Sequence, residues 1–173
     1  MIYTNIKSPL GEITASAEDG AIKGVWFVGQ KYYPAAKDTW KYDPQHPLFI
    51  QLGSWLEDYF KGQRNIPLPE LKPEGTDFQK EIWNILLEIP YGQVTTYGEI
   101  AKKTAISKGL TSMSAQAVGG AVGHNPISIL IPCHRVIGTN GSLTGYAGGL
   151  EKKQALLRIE KADLKRIENQ SRI

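Results

Sequence analysis

The chain has 173 residues, 41% of them hydrophobic and 21% charged, enough apolar material to pack one large or two small domains and too much for a disordered chain. Its formal net charge is +3, unevenly placed: residues 1–75 carry 8 basic and 9 acidic side chains, and residues 76–173 carry 12 and 8. The second half is therefore the better suited to a polyanionic partner. A single cysteine allows neither an internal disulfide nor a cysteine-based zinc site, the start Met1-Ile2-Tyr3-Thr4-Asn5 has no basic stretch followed by an apolar one, and no apolar run approaches the roughly 20 residues of a membrane span. The expectation is a protein of the reducing cytoplasm with no membrane contact.

In chain order, Ile2, Ile6, Leu10, Ile13, Ile22, Val25, Trp26, Phe27 and Val28 follow a strand-like pattern broken at Pro9-Leu10-Gly11 and Asp19-Gly20, which predicts a meander. Leu48, Leu52, Trp55, Leu56, Tyr59 and Phe60 recur at three and four residues and predict one amphipathic helix, ended by Gly62. The proline-rich run from Ile66 to Gly75 reads as a linker or edge strand, so a domain boundary is expected near its end, between 1–75 and 76–173.

Thr76, with Gln79 three residues on, forms a capping-box pattern ahead of Phe78, Ile82, Ile85, Leu86 and Ile89, a helix expected to stop at Pro90-Tyr91-Gly92. A short helix from Tyr97 to about Thr104, a polar loop over 107–112 and a third helix from Ser114 to Gly123 follow. The third is built almost wholly of small residues. Glycines cost a helix about 1 kcal/mol each relative to alanine, so their presence suggests close approach of either a neighbouring helix or a nucleic-acid backbone. The pair resembles a helix-turn-helix with a long turn. Asn140-Gly141, between Val136-Ile137 and Leu143, is a hairpin signal, and Gly145-Tyr146-Ala147-Gly148-Gly149 reads as a loop able to present backbone N–H groups. A last helix begins near Leu150 and carries Leu156, Leu157 and Glu160 on one face, where Glu160 is either a surface edge residue or a buried, paired acid.

The one cysteine, Cys133, stands in Ile131-Pro132-Cys133-His134-Arg135-Val136, next to one of only three histidines. A thiol beside an imidazole is a candidate nucleophile, because the thiolate is the reactive form and a neighbouring base supplies it. An inert, buried cysteine would give the same pair of residues.

The run Asn125 to Ile137, preceded by Ala117-Val118-Gly119-Gly120-Ala121 and followed by Gly145 to Gly149 and Leu156-Leu157-Arg158-Ile159-Glu160, closely resembles the O6-alkylguanine-DNA alkyltransferases, also called methylated-DNA–protein-cysteine methyltransferases. The likeness is strong over 76–160 and weaker before it, where Ser8-Pro9-Leu10-Gly11 and the aromatic-rich helix carry it. It implies an α/β (α+β) protein: an N-terminal mixed α/β domain with a small sheet, then a mostly helical, winged-helix-like domain that binds DNA and accepts the alkyl group. The implied activity is DNA repair by irreversible, single-turnover transfer of an alkyl group from O6 of guanine to Cys133.

By the same resemblance His134 is the base, reached through a water because consecutive side chains of an extended segment diverge. Glu160 orients that imidazole, Tyr97 supplies a donor near O6, and Asn125 braces the active-site turn. Tyr146 and Ala147 close over the extruded base and Val136 lines its pocket, while Gln116, Ala117, Gly120, Thr139 and Arg135 fall among the substrate and DNA contacts. The helix from Ser114 to Gly123 is expected in the minor groove of double-stranded DNA containing O6-alkylguanine. Family members commonly carry arginine where this chain has Gln116, and Lys108 in the long loop could compensate with a phosphate contact. Zinc-binding members use N-terminal cysteines that this chain lacks, so no metal and no cofactor are expected, and a monomer is. An alkylated-DNA damage sensor, a cysteine hydrolase and a transcriptional helix-turn-helix domain are the competing readings. The sensors lack the cysteine, no hydrolase motif surrounds this one, and a transcriptional domain has no use for it.

Overall fold

A computed structural model describes residues 1–162 and Leu164. The chain divides into two compact units, one of Met1–Glu74 with Pro126–Leu130 and one of Gly75–Asn125 with the chain from Ile131 onward. The change at residue 74 falls where the proline-rich stretch ends. The return of residues 126–130 to the first unit, immediately before the nucleophile segment, has no signal in composition or periodicity.

In the first unit β1 (Ile2–Ser8), β2 (Gly11–Glu18) and β3 (Ala21–Phe27) form the expected antiparallel meander, and β4 (Lys41–Tyr42) adds to β1 in parallel, giving the order β3-β2-β1-β4. Helix α1 (Pro47–Phe60) buries Phe49, Leu52, Trp55, Leu56 and Tyr59, and the chain leaves it through Gly62 at φ 87. The outer edge of β3 is covered by short bridges. Leu71 pairs with Ile22, and Ile127 pairs with Val25, whose N–H donates to Pro126 O at 2.9 Å and whose carbonyl accepts from Ser128 N at 2.9 Å. Those bridges satisfy backbone groups that an open edge would leave exposed.

The second unit is mostly helical. Both arms of the capping box form at the start of α2 (Asp77–Leu87): Gln79 N donates to Thr76 Oγ1 at 3.1 Å, and Thr76 N donates to Gln79 Oε1 at 3.0 Å. Helix α3 (Tyr97–Ser107) runs a turn longer than expected, and α4 (Ala115–Gly123) starts behind Ser114, whose hydroxyl accepts from Gln116 N and Ala117 N. Trp83 on α2 donates its indole N–H to Ala121 O at 2.9 Å and so ties α4 down. The other face of α4, with Ala115, Gln116, Ala117 and Gly120, is exposed. Helix α5 (Leu150–Ile159) follows the glycine loop.

Two local expectations are corrected. No hairpin ladder forms around Asn140-Gly141. Instead β6 (Val136–Ile137) pairs in parallel with β5 (Thr95–Thr96), and 138–142 is a closed turn in which Gly138 N donates to Ser142 O at 2.8 Å. The turn residues fix the reversal, but the partner of β6 is chosen by packing from a distant part of the chain. Lys108 is not held out for a phosphate: its ammonium pairs with Glu81 at 3.0 Å and lies over the Phe78 ring.

Because Ser114 satisfies two otherwise unpaired N–H groups of a glycine-rich helix, Ser114→Ala should lower stability by about 1 kcal/mol. Urea unfolding followed by circular dichroism checks this, and an unchanged midpoint would show that the cap carries no weight.

Candidate active site

Cys133 is reached through two tight turns in succession. Ile129 sits at φ 72 between Ser128 and Leu130, whose O and N close a three-residue turn at 2.9 Å; a β-branched residue held there stores about 1–3 kcal/mol of strain. Pro132 forms the next, with Cys133 N donating to Ile131 O at 2.8 Å. Asn125 donates through Nδ2 to the same Ile131 carbonyl at 2.8 Å and also hydrogen-bonds the thiol. It thus holds both the turn and the sulfur. Cys133, His134 and Arg135 then form a single 3-10 turn rather than an extended segment. Successive side chains still diverge on such a turn, so the thiol and the imidazole do not face each other.

The thiol is 6% exposed. Burial pushes its pKa up, and the Asn125 hydrogen bond and the charge of Lys153 only partly offset this, so the resting group is the protonated thiol.

His134 and Glu160 are both fully buried, with Nε2 2.5 Å from Glu160 Oε2. Glu160 is the buried, paired acid of the two alternatives. It accepts from Arg135 Nε at 2.8 Å and Nη2 at 3.1 Å, and from Gly92 N at 3.1 Å. Burial alone would raise the Glu160 pKa, but the bonds and charges of His134 and Arg135 outweigh it and hold the carboxyl well below the usual range. Burial pushes His134 the other way, down, against the pull of Glu160. Burial outweighs that pull, with the charges of Arg135 and Lys153 acting in the same direction, so the imidazole rests neutral with its Nε2 toward Glu160. Its buried Nδ1 has no hydrogen-bond partner among the described residues and keeps a lone pair free to take a proton.

Arg135 therefore differs from its expected place among substrate contacts. Its guanidinium is spent on Glu160 and on Ile89 O, 2.7 Å from Nη1, and lies over the Tyr91 ring. The bidentate geometry with a carboxylate explains why it turns inward.

Lys153 was not singled out from the sequence, although it lies three, four and seven residues before Leu156, Leu157 and Glu160 on the same face of α5. A lysine on an apolar face usually reaches solvent, which hides the signal. Here it is fully buried, donating to Val136 O at 2.5 Å and Thr144 O at 2.8 Å, 6.0 Å from the centre of the Tyr97 ring. Burial pushes its pKa down to about 8 against the opposing charge of Cys133. The Tyr97 hydroxyl donates to Thr144 O at 3.1 Å, and burial followed by the Cys133 charge pushes that phenol up to about 12, which keeps it a donor at any physiological pH.

The structure thus brings Cys133, His134, Glu160, Asn125 and Tyr97 together within one unit. Val136 is buried in β6, Tyr146 is buried and Ala147 half-buried in the glycine loop, and Thr139 is exposed beside Gly98. Gln116, Ala117 and Gly120 lie apart on the open face of α4.

The acid limb of stability follows from these groups. Glu160 has a folded pKa below that of unfolded glutamate, about 4.3, so its stabilising effect is complete above that value and lost as pH falls through the folded one. His134, also lowered, takes up a proton more readily when unfolded, so stability already declines below about pH 6.5. Glu160→Gln should cost about 3–5 kcal/mol at neutral pH by leaving Arg135 unpaired, with a gap to the parent that narrows toward pH 3. Urea unfolding across that range checks this; a constant gap would mean that Glu160 is not ionised in the fold.

Residues 77–162 match the family described as 6-O-methylguanine DNA methyltransferase, DNA binding domain, and residues 1–68 match its ribonuclease-like domain. A methylated-DNA–protein-cysteine methyltransferase of Methanosarcina acetivorans is 44% identical over 160 residues, covering 92% of this chain and 98% of its own length. One from Haemophilus influenzae is 43% identical, covering 93% and 87%. The crystal structure of Mycobacterium tuberculosis OGT in complex with DNA superposes with a TM-score of 0.82 at 38% identity, over 96% of this chain and 99% of that one. By two matched domains and by relatives aligned over nearly its whole length, the chain belongs to the 6-O-methylguanine DNA methyltransferase family.

Proposed function

We propose that this chain repairs DNA by taking an alkyl group from O6 of guanine onto Cys133, once per molecule. The observation that carries the reading is the buried chain Cys133, His134, Glu160 and Arg135, which provides a base with a free lone pair beside a protonated thiol in a member of this family.

The steps balance as follows. The thiol proton passes through a water to His134 Nδ1, and the imidazolium so formed is held by Glu160. The thiolate attacks the alkyl carbon, forming the C–S bond as the C–O6 bond breaks, and the purine leaves as an anion. Tyr97 donates toward that developing charge, and the proton from His134 returns to the purine. Because the thiol is buried and rests protonated, it reacts only with a base taken out of the stack and delivered to it.

The product is a thioether, and the chain has no second thiol to receive the group by exchange. With excess DNA containing O6-methylguanine, transfer should give a burst equal to the protein present and then stop, with the methyl group on Cys133 by peptide mass mapping. Sustained turnover would sink the proposal.

The open face of α4 supports binding of double-stranded DNA through the minor groove, and the protein is proposed to act as a monomer. A Cβ at Gly120 would meet no atom within 4 Å, so nothing within this unit requires glycine there, while an approaching backbone would. Gln116 stands beside it as an uncharged side chain of the right shape to enter the stack. Gly120→Ala should therefore have opposite effects on two measurements. It should stabilise the fold by about 0.5–1 kcal/mol, read by urea unfolding, yet weaken DNA binding at fixed salt, read by fluorescence anisotropy. Unchanged binding would remove α4 from the interface.

A further inference from the structure

The Thr144 carbonyl, at the start of the glycine loop, is held by two donors at once: Lys153 Nζ at 2.8 Å and Tyr97 Oη at 3.1 Å. A carbonyl oxygen has two lone pairs and can accept both. The approach is close because residue 145 is glycine. At φ 70 its position suits no side chain, and a Cβ there would stand 3.1 Å from the Tyr97 hydroxyl. In the free protein, then, the hydroxyl assigned to the substrate is already bonded to the loop that closes over it.

We propose that Lys153 is the positioning residue that frees Tyr97 for the substrate: by holding Thr144 O and Val136 O together, it keeps the loop fixed to the nucleophile segment when the Tyr97 hydroxyl leaves Thr144 for the purine. The inference rests on the reading of Tyr97 as donor given under the proposed function. Lys153 suits the task because its ammonium has three protons: one meets Val136 O, one Thr144 O, and the charge that remains faces the Tyr97 ring and Cys133. Without it, transfer of the hydroxyl would strip Thr144 O of its last donor among the described residues and release the loop at the moment of reaction.

A double-mutant cycle tests this in the full chain, using single-turnover transfer from an O6-methylguanine duplex at saturating and limiting concentrations. Lys153→Met should slow the saturating rate about tenfold or more, while the half-saturating concentration moves far less. Tyr97→Phe should also slow it. The double variant should lose clearly less than the product of the two single losses, because a protein without the hydroxyl has nothing for Lys153 to free and forfeits only the cation that favours the Cys133 thiolate. If the two losses multiply, Lys153 acts independently of Tyr97 and the inference is overturned while the donor reading stands. If Tyr97→Phe reacts at the parental rate, the donor reading falls and the inference with it. Thermal unfolding accompanies each variant, and should Lys153→Met fail to fold, Lys153→Gln enters the same cycle with the same two decisive outcomes.

Discussion

A carboxylate with no solvent contact survives in a protein interior only when its neighbours replace the water it has lost, and Glu160 shows how completely that can be done. It receives the imidazole of His134, two bonds from Arg135 and the backbone N–H of Gly92. Glu160 itself caps the C-terminus of α5, and its partners come from the turn after α2 and the turn that carries Cys133. One buried charge thereby fixes three separate pieces of chain relative to each other. Its desolvation would be prohibitive with any partner missing, so the arrangement is close to all or none.

The division of charge around Glu160 also sets the chemistry. Arg135 balances the carboxylate, and its charge acts with burial to keep the imidazole neutral, with a lone pair. Lys153 carries the opposite duty on the other side of the thiol. Its charge favours thiolate, and burial holds it at a pKa of about 8. The site keeps the thiol protonated at rest while placing around it the groups that stabilise its anion. A nucleophile so arranged is spared from adventitious electrophiles.

Helix α4 meets a different constraint. Its inner face is fixed by Val118, Ala121, Val122 and the Trp83 hydrogen bond, and its outer face is uncharged and, Gln116 apart, made of small residues. Cationic side chains would give affinity at long range but would also hold a partner's backbone away from the helix. Small residues allow contact at van der Waals distance. Lys108, the cation nearest in sequence, is neutralised by Glu81.

The sequence by itself determined the helices and the meander, because their apolar periods, the Thr76–Gln79 box and the turn residues act over a few positions. It also determined the family, through the ordered run around Cys133. Glu160 was ambiguous by spacing, and only the fold decided it, since burial depends on what α5 packs against. The partner of β6, the inward turn of Arg135, the pairing of Lys108 and the burial of Lys153 were likewise set by tertiary contacts, through groups distant in sequence competing for the same hydrogen-bond partners. Local pattern records which residues can hide from water. It does not record which polar groups will meet once they are hidden, and the chemistry of this site lies in those meetings.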